Sequence, residues 1–165
     1  MQQLERPSFI VIRHRKENRK KCSLRGLENR PDILFFDYPS SMDALPELDQ
    51  YILLDIDGAP LSSNDRAPFV LLDGTWRYAC VMKAQVSQLR LCKRRKIPDT
   101  WRTAYPRKQS EWVDPEQGLA SVEAMYAAAS ITKTPMEGIL DHYYWKERFL
   151  ELNRGYCCVD SRQKA

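Results

Sequence analysis

Apolar positions along this chain gather into short runs separated by polar turns. Residues 8–13 (SFIVIR), Ile33–Tyr38 (ILFFDY), residues 51–55 (YILLD) and Phe69–Asp73 (FVLLD) are of strand length and rich in β-branched and aromatic residues. Runs of that kind suit buried strands. Elsewhere the spacing lengthens to the helical period. It predicts helices from Arg77 to about Leu89, over residues 119–131, and from Pro135 to about Asn153, the last carrying Ile139, Leu140, Tyr143, Tyr144, Phe149 and Leu150. Two shorter helices are expected, at residues 22–27 with Ser23 as N-cap and at residues 40–49, interrupted by Pro46. Residues 100–105 are a candidate fifth strand. Strand runs alternating with helical patterns predict an α/β fold, a mostly parallel sheet flanked by helices. Ligands of such sheets lie beyond the carboxyl ends of the strands. Asp55 and Asp73 each end a strand run, which places Asp73 well for chemistry.

Charge sharpens this picture. The 165 residues carry a net charge of only +4, but the cations are clustered. Arg13 to Arg30 holds eight Lys or Arg against Glu17 and Glu28; Arg90 to Lys108 holds eight more against Asp99 alone. Two basic blocks on an otherwise acidic chain suggest a phosphate-rich partner, RNA or DNA, although a solvated face is the alternative for either block taken alone. The five cysteines, Cys22, Cys80, Cys92, Cys157 and Cys158, form no C-x-x-C pair. They read as reduced thiols of a cytoplasmic protein rather than as disulfides or a zinc site. The first residues, MQQLERPSF, lack the apolar core of a signal peptide, and no apolar run approaches the length of a membrane span. With His14 and His142 as the only histidines, no metal is expected. His142, on a helix among aromatics, reads as a packing residue.

The chain lacks G-x-G-x-x-G, G-x-x-x-x-G-K-[ST], H-E-x-x-H and G-x-S-x-G. The most informative segment is residues 71–79, LLDGTWRYA. Gly74 permits a tight turn out of a strand, Asp73 supplies a carboxylate there, and Trp76 supplies a large flat apolar surface. Taken alone, these residues leave open that Asp73 caps a turn and that Trp76 is core. The segment LLDGTWR resembles the D-x-T-W signature of the DTW-domain proteins, tRNA-uridine aminocarboxypropyltransferases, and RKQSEWVDPEQGLASVEAMYAA is similar to that family's R-x-Q…L-S-x-x-E-A element. Related enzymes that modify small-subunit ribosomal RNA are matched as well, at Lys21 to Ser23, at GAPLSSNDR (58–66) and at WKERFLELN (145–153). The resemblance spans roughly residues 8–156, five short motifs in order. Two departures stand beside it. The link from LSSNDR to FVLLD is short, and PDTWRTAYP (98–106) lacks an A-A-N-P pattern.

The resemblance implies a SPOUT-like, deeply trefoil-knotted domain over residues 61–156, a small N-terminal α/β lobe over 1–60, and a tail over 157–165. It implies that the cofactor is S-adenosylmethionine and that the 3-amino-3-carboxypropyl group goes to a uridine or pseudouridine of tRNA or rRNA, in a monomeric RNA-binding protein with no DNA or membrane partner. By the same resemblance Trp76 and Ala79 shield the cofactor's methyl group. Leu61, Ile97, Leu119 and Ala124 surround adenine, with backbone at Ile97 and near Gln117 hydrogen-bonding it, and the backbone of Leu72 faces the ribose. Cys22 and Ser23 lie near the amino-acid end, and Asp73 holds the amino group or assists deprotonation of the base. RNA phosphates are expected on Arg13, Arg15, Lys16, Arg19, Lys20 and Lys21, on Arg66, and on Arg90, Lys93, Arg94, Arg95 and Lys96 with Arg102, Arg107 and Lys108 nearby. Trp101 and Trp112 would stack on a displaced base or pack inside the protein. Two other readings remain open: a SPOUT-type RNA methyltransferase, and a catalytically silent RNA-binding or ribosome-assembly factor.

Overall fold

The structure, a computed structural model, describes residues 6–106 and 118–156. Five strands form one sheet: β1 (Phe9–His14), β2 (Ile33–Tyr38), β3 (Ile52–Pro60), β4 (Phe69–Asp73) and β5 (Lys93–Lys96), in the order β2-β1-β4-β3-β5. Every pairing is parallel, so all strands point their carboxyl ends the same way. Three helices accompany them: α1 (Trp76–Gln85), α2 (Ser121–Thr132) and α3 (Lys146–Leu152). This is the α/β architecture expected from the alternating pattern. The boundary expected at residue 60 falls at the end of β3, and both sides contribute strands to the same sheet. Among the described residues, no helix is long and apolar enough to cross a membrane.

Side chains of a strand alternate between faces, and two separate cores result. Phe9 and Val11 of β1, Ile33 of β2 and Phe69 and Leu71 of β4 face Val122, Met125 and Ala128 of α2, with Leu24, Leu27, Trp101 and Phe149. Ile10, Ile12 and Val70 face the other way, onto Met82 of α1 and onto Leu45, Leu48, Val86 and Leu89. The next step of the alternation puts Arg13 and Asp73 on the α2 face, side by side in register at the ends of β1 and β4.

Several elements differ from the sequence-based expectation. Residues 22–27 form turns, and only Met42–Ala44 of the 40–49 segment is helical, as a single 3-10 turn. The helix expected to Leu89 ends at Gln85 and resumes as a 3-10 turn over Ser87–Leu91. Residues 100–105 are not a strand; the fifth strand is the basic run Lys93–Lys96 at the sheet's edge. Charges on an edge strand discourage pairing with other chains, so the residues that hid this strand also suit its position. The long last helix is broken: α2 ends on left-handed Lys133, and past Pro135 Gly138 takes a φ of 73° within a run of turns, which leaves only Lys146–Leu152 as helix.

β3 outruns its expected length by an irregular path. It pairs with β5 up to Leu54 and again from Ala59, with the intervening residues looped out. Gly58 permits this, since a Cβ there would lie 2.7 Å from the backbone of Arg95. The loop is tied to α1 by Lys83, whose Nζ donates to Asp55 at 2.9 Å and to Asp57 at 3.4 Å.

Candidate active site

Asp73 ends β4 and is 3% exposed. Three chain segments send donors to its carboxylate. Arg13 Nε of β1 donates to Oδ2 at 3.0 Å, the Cys22 thiol donates to the same oxygen at 3.1 Å, and Ser121 Oγ, from the first residue of α2, donates to Oδ1 at 2.9 Å. Arg13 is itself buried, with its guanidinium 4.7 Å from the centre of the Phe35 ring and 3.6 Å from Glu28. Burial works against its charge, but the hydrogen bond to Asp73 and the nearby negative charges outweigh that and raise its pKa. Burial and the charge of Asp73 push the Cys22 thiol up to about 12, which keeps it a hydrogen-bond donor at neutral pH.

The turn after β1 also reaches α2. Ser23 Oγ accepts from the backbone N–H of Val122 at 3.1 Å, one of the helical N–H groups that no residue of the helix itself can satisfy. Glu123, fully buried, closes the same helix end. Its carboxylate accepts from Ala120 N at 2.7 Å, Thr103 Oγ1 at 2.6 Å and Ala104 N at 2.8 Å. The irregular segment after β5 is thereby held to α2, while Asn153 holds its Arg102 in both directions, accepting from N and donating to O. The site therefore lies where the carboxyl ends of β1 and β4 meet the N-terminal turn of α2, the place an open parallel sheet offers for a ligand.

On the opposite face Gly74 lets β4 turn tightly into α1. A Cβ there would come within 3.2 Å of Tyr78 and 3.3 Å of His14. Thr75 caps α1 through Oγ1, which accepts from Tyr78 N. His14, buried, stacks on Tyr78 with ring centres 3.9 Å apart, and its Nδ1 accepts from Lys16 N at 3.1 Å. Burial, and then the charges of Arg15 and Lys16, lower its pKa.

No protein-family model matches the chain, and no curated protein does. A solved structure of the SAM-dependent rRNA:acp-transferase Tsr3 from Vulcanisaeta distributa superposes on it with a TM-score of 0.66, covering 91% of this chain and 80% of that one at 23% sequence identity. The chain has the Tsr3 fold.

Within this Tsr3-like fold, Leu61, Ile97, Leu119 and Ala124, expected around an adenine, all belong to the core on the α2 face. Leu61 is buried, and the other three are partly exposed. Leu61 N donates to Lys96 O, which sets it beside Ile97. Leu72 packs toward α1. Trp76 and Ala79 lie one turn apart on α1; the indole is 53% exposed and Ala79 partly so. Gln117, Arg107, Lys108 and Trp112 lie outside the described residues, as do Cys157 and Cys158.

The expected RNA contacts divide. Arg13 is no surface cation: in the strand's alternation it points into the core, onto Asp73. Arg15, Lys16, Arg19, Lys20 and Lys21 are exposed in the loop just after β1, beside the site. Of these, Arg19 bonds Asp37 at 2.9 Å. Cations of the second block face carboxylates of this protein: Lys93 and Arg95 each lie 3.4 Å from Asp65, Arg94 3.9 Å from Asp55 and Lys96 3.5 Å from Asp99. Register places Lys93 level with Ile52, Phe69 and Phe9, at the end of the sheet away from Asp73. Arg66 shares an open surface hollow of about 250 Å³ with Lys93. Arg90 and Arg102 are exposed. Trp101 is buried against Phe149, Tyr126 and Tyr156, a core residue rather than a stacking platform. His142 is exposed, its ring lying over Gly26.

Sequence reasoning missed Ser121 as a partner of Asp73, Arg13 as its counter-ion, and Glu17. The carboxylate of Glu17, the thiol of Cys22 and the carboxylate of Asp73 have oxygen and sulfur atoms within 4.8 Å of one another. The signal for Glu17 was available, as the one acid in the run RHRKENRKK.

Proposed function

We propose that this protein is an RNA-modifying transferase that moves the 3-amino-3-carboxypropyl group of S-adenosylmethionine to a uridine or pseudouridine of tRNA or rRNA, with release of methylthioadenosine. One observation carries the reading: Asp73, the N-terminal turn of α2 and the apolar set Leu61, Ile97, Leu119 and Ala124 converge at one end of the sheet. They do so in a fold shared with a structure described as an SAM-dependent rRNA:acp-transferase. The deep trefoil knot implied by the sequence motifs belongs to this proposal.

The residues present suit such a cofactor. Ile97, Leu119 and Ala124 keep part of their apolar surface accessible beside buried Leu61, as a flat heteroaromatic ring requires. A carboxylate offers about four acceptor sites, and Asp73 spends three on Arg13, Cys22 and Ser121, leaving one on the Ser121 side for an ammonium group. Bound there, S-adenosylmethionine supplies an electrophilic carbon beside its sulfonium.

The chain's own residues decide which carbon is offered. Trp76 and Ala79, on one face of α1, cover the methyl group, so that the amino-acid arm faces RNA. The backbone of Leu72 faces the ribose, and Cys22 and Ser23 border the arm. Asp73 acts as a positioning group, because two donors already point at its Oδ2. Exposed Arg15, Lys16, Arg19, Lys20 and Lys21 hold the RNA backbone beside the site, which positions the target without reading its sequence.

The test is incubation with S-adenosylmethionine labelled on the carboxyl carbon, in separate reactions with small-subunit rRNA and tRNA, followed by mass analysis of the modified nucleoside. Label in RNA with the mass of an aminocarboxypropyl group is expected. A methyl-sized increment without label would make the protein a methyltransferase, and absence of cofactor binding by calorimetry would make it a silent RNA-binding factor.

A further inference from the structure

The loop that follows β1 has one residue out of keeping with the rest. Arg15, Lys16, Asn18, Arg19, Lys20 and Lys21 are all exposed, whereas Glu17 between them is half-buried and turned inward. A free acid in a loop of cations would be expected to stay in water beside them. Glu17 instead brings its carboxylate to within 4.8 Å of the Asp73 carboxylate and of the Cys22 sulfur. Among the described residues no hydrogen bond or ion pair occupies its side chain, while Asp73 beside it is held by three. The turn that directs it inward is fixed by its own backbone N–H, which donates to His14 O at 2.9 Å.

Resting on the transferase reading above, we infer that Glu17 is the general base of the reaction, taking the ring N–H proton of the target uridine or pseudouridine. The two carboxylates then divide the work: Asp73, saturated by donors, orients, and Glu17, unencumbered at the rim, accepts. The proton passes from the ring nitrogen to a Glu17 oxygen. The nitrogen's electron pair forms the new N–C bond, the C–S bond breaks with its pair left on sulfur as a neutral thioether, and the proton leaves Glu17 for water. The cations on either side of Glu17 in the same loop hold the RNA phosphates, so the segment that anchors the substrate also carries the group that deprotonates it.

The electrostatic surroundings agree. Glu17 faces Asp73 of β4, Arg13 of β1 and Cys22 of the next turn. Burial and the charge of Asp73 raise its pKa above the ordinary 4.5, and Arg13 offsets only part of that. Divergent environments for two neighbouring carboxyl groups are how an acid–base residue is set apart from a structural one. A base must be unprotonated to act, so transfer should rise with pH through the pKa of Glu17.

The experiment compares the full-length wild type with Glu17→Gln and Glu17→Asp, measuring kcat and KM for transfer of the carboxyl-labelled group across pH, cofactor binding by calorimetry, and thermal unfolding. Expected for Glu17→Gln is a fall of kcat by about 10²-fold or more. Its acid limb should vanish, with KM for RNA, cofactor affinity and melting temperature unchanged. Glu17→Asp should recover part of the rate and show an acid limb again. Wild-type transfer with a Glu17→Gln enzyme of equal kcat and the same acid limb overturns the assignment alone. So does a Glu17→Gln enzyme whose lost rate follows lost cofactor affinity. A wild-type protein that moves no label overturns the transferase reading, and the assignment with it.

Discussion

Arg13 and Asp73 form a buried ion pair, both side chains being 4% exposed. Truncating one partner of such a pair costs about 3–5 kcal/mol, because a buried charge is left unmatched, whereas replacing both by apolar residues is often near neutral. Asp73→Ala and Arg13→Met are each expected to lower stability by that amount in denaturant unfolding, while the double variant Arg13→Met with Asp73→Leu recovers most of it. Transfer should be lost in all three. Destabilisation of the double variant equal to the sum of the two single losses would show that the pair is not coupled. Asp73 was legible from its place at the end of a strand run. Arg13 was not, because its letter matches those of the surface arginines that follow. The alternation Phe9, Val11, Arg13 puts it on the buried face, a signal carried by strand period and masked by charge. Trp76 illustrates a different limit: a motif can name a residue without telling whether its ring is covered, and here the indole is half exposed.

At the level of elements, the apolar runs located four strands, two with the observed bounds, because buried parallel strands are nearly continuous apolar sequence. The fifth strand and the last helix were misread for opposite reasons. β5 is all cations, and its strand character comes from pairing with β3 rather than from its own pattern. The region from Pro135 to Asn153 has helical spacing, but left-handed Gly138 and a series of turns break it before Lys146. The segment after β5 is irregular yet tightly held: Arg102, Thr103 and Ala104 bond to Asn153 and Glu123, and the Tyr105 hydroxyl donates to Lys21 O at 3.1 Å. Asn153 is fully buried. Asn153→Ala leaves the part-buried Arg102 backbone groups without their side-chain partner, a loss of about 0.5–1.5 kcal/mol for each hydrogen bond. The expected outcome is a lowered melting temperature and faster amide exchange at Arg102 in mass-resolved hydrogen exchange. Unchanged protection there would refute the pinning.

For the whole molecule, charge distribution separates two basic blocks that look alike in sequence. The loop of residues 15–21 lies at the Asp73 end of the sheet with most of its cations open to solvent. The 93–96 block faces Asp55, Asp65 and Asp99 and begins at the far end. RNA affinity should therefore fall with added salt, and the slope should respond mainly to the first block. Lys16, Lys20 and Lys21 replaced together by Ala should flatten it by about 0.7 for each phosphate of a single strand that is no longer neutralised. The same change at Lys93, Arg94 and Arg95 should alter it little, as read by filter binding across a salt series. Equal effects would place RNA across both ends of the protein. Clustering of cations was readable from the sequence; which cluster is neutralised by its own protein was not, since that depends on long-range pairing of strands.

Ser23 and Val122 are 99 positions apart, yet the Ser23 hydroxyl accepts from a backbone N–H in the first turn of the helix that holds Val122. During synthesis the turn carrying Ser23 leaves the ribosome long before α2 exists, so the candidate site lacks its α2 wall until residues 121–132 have been made. On the proposed transferase reading, cofactor capture then waits for α2, and a product terminated before residue 121 would compete neither for the metabolite nor for turnover of RNA.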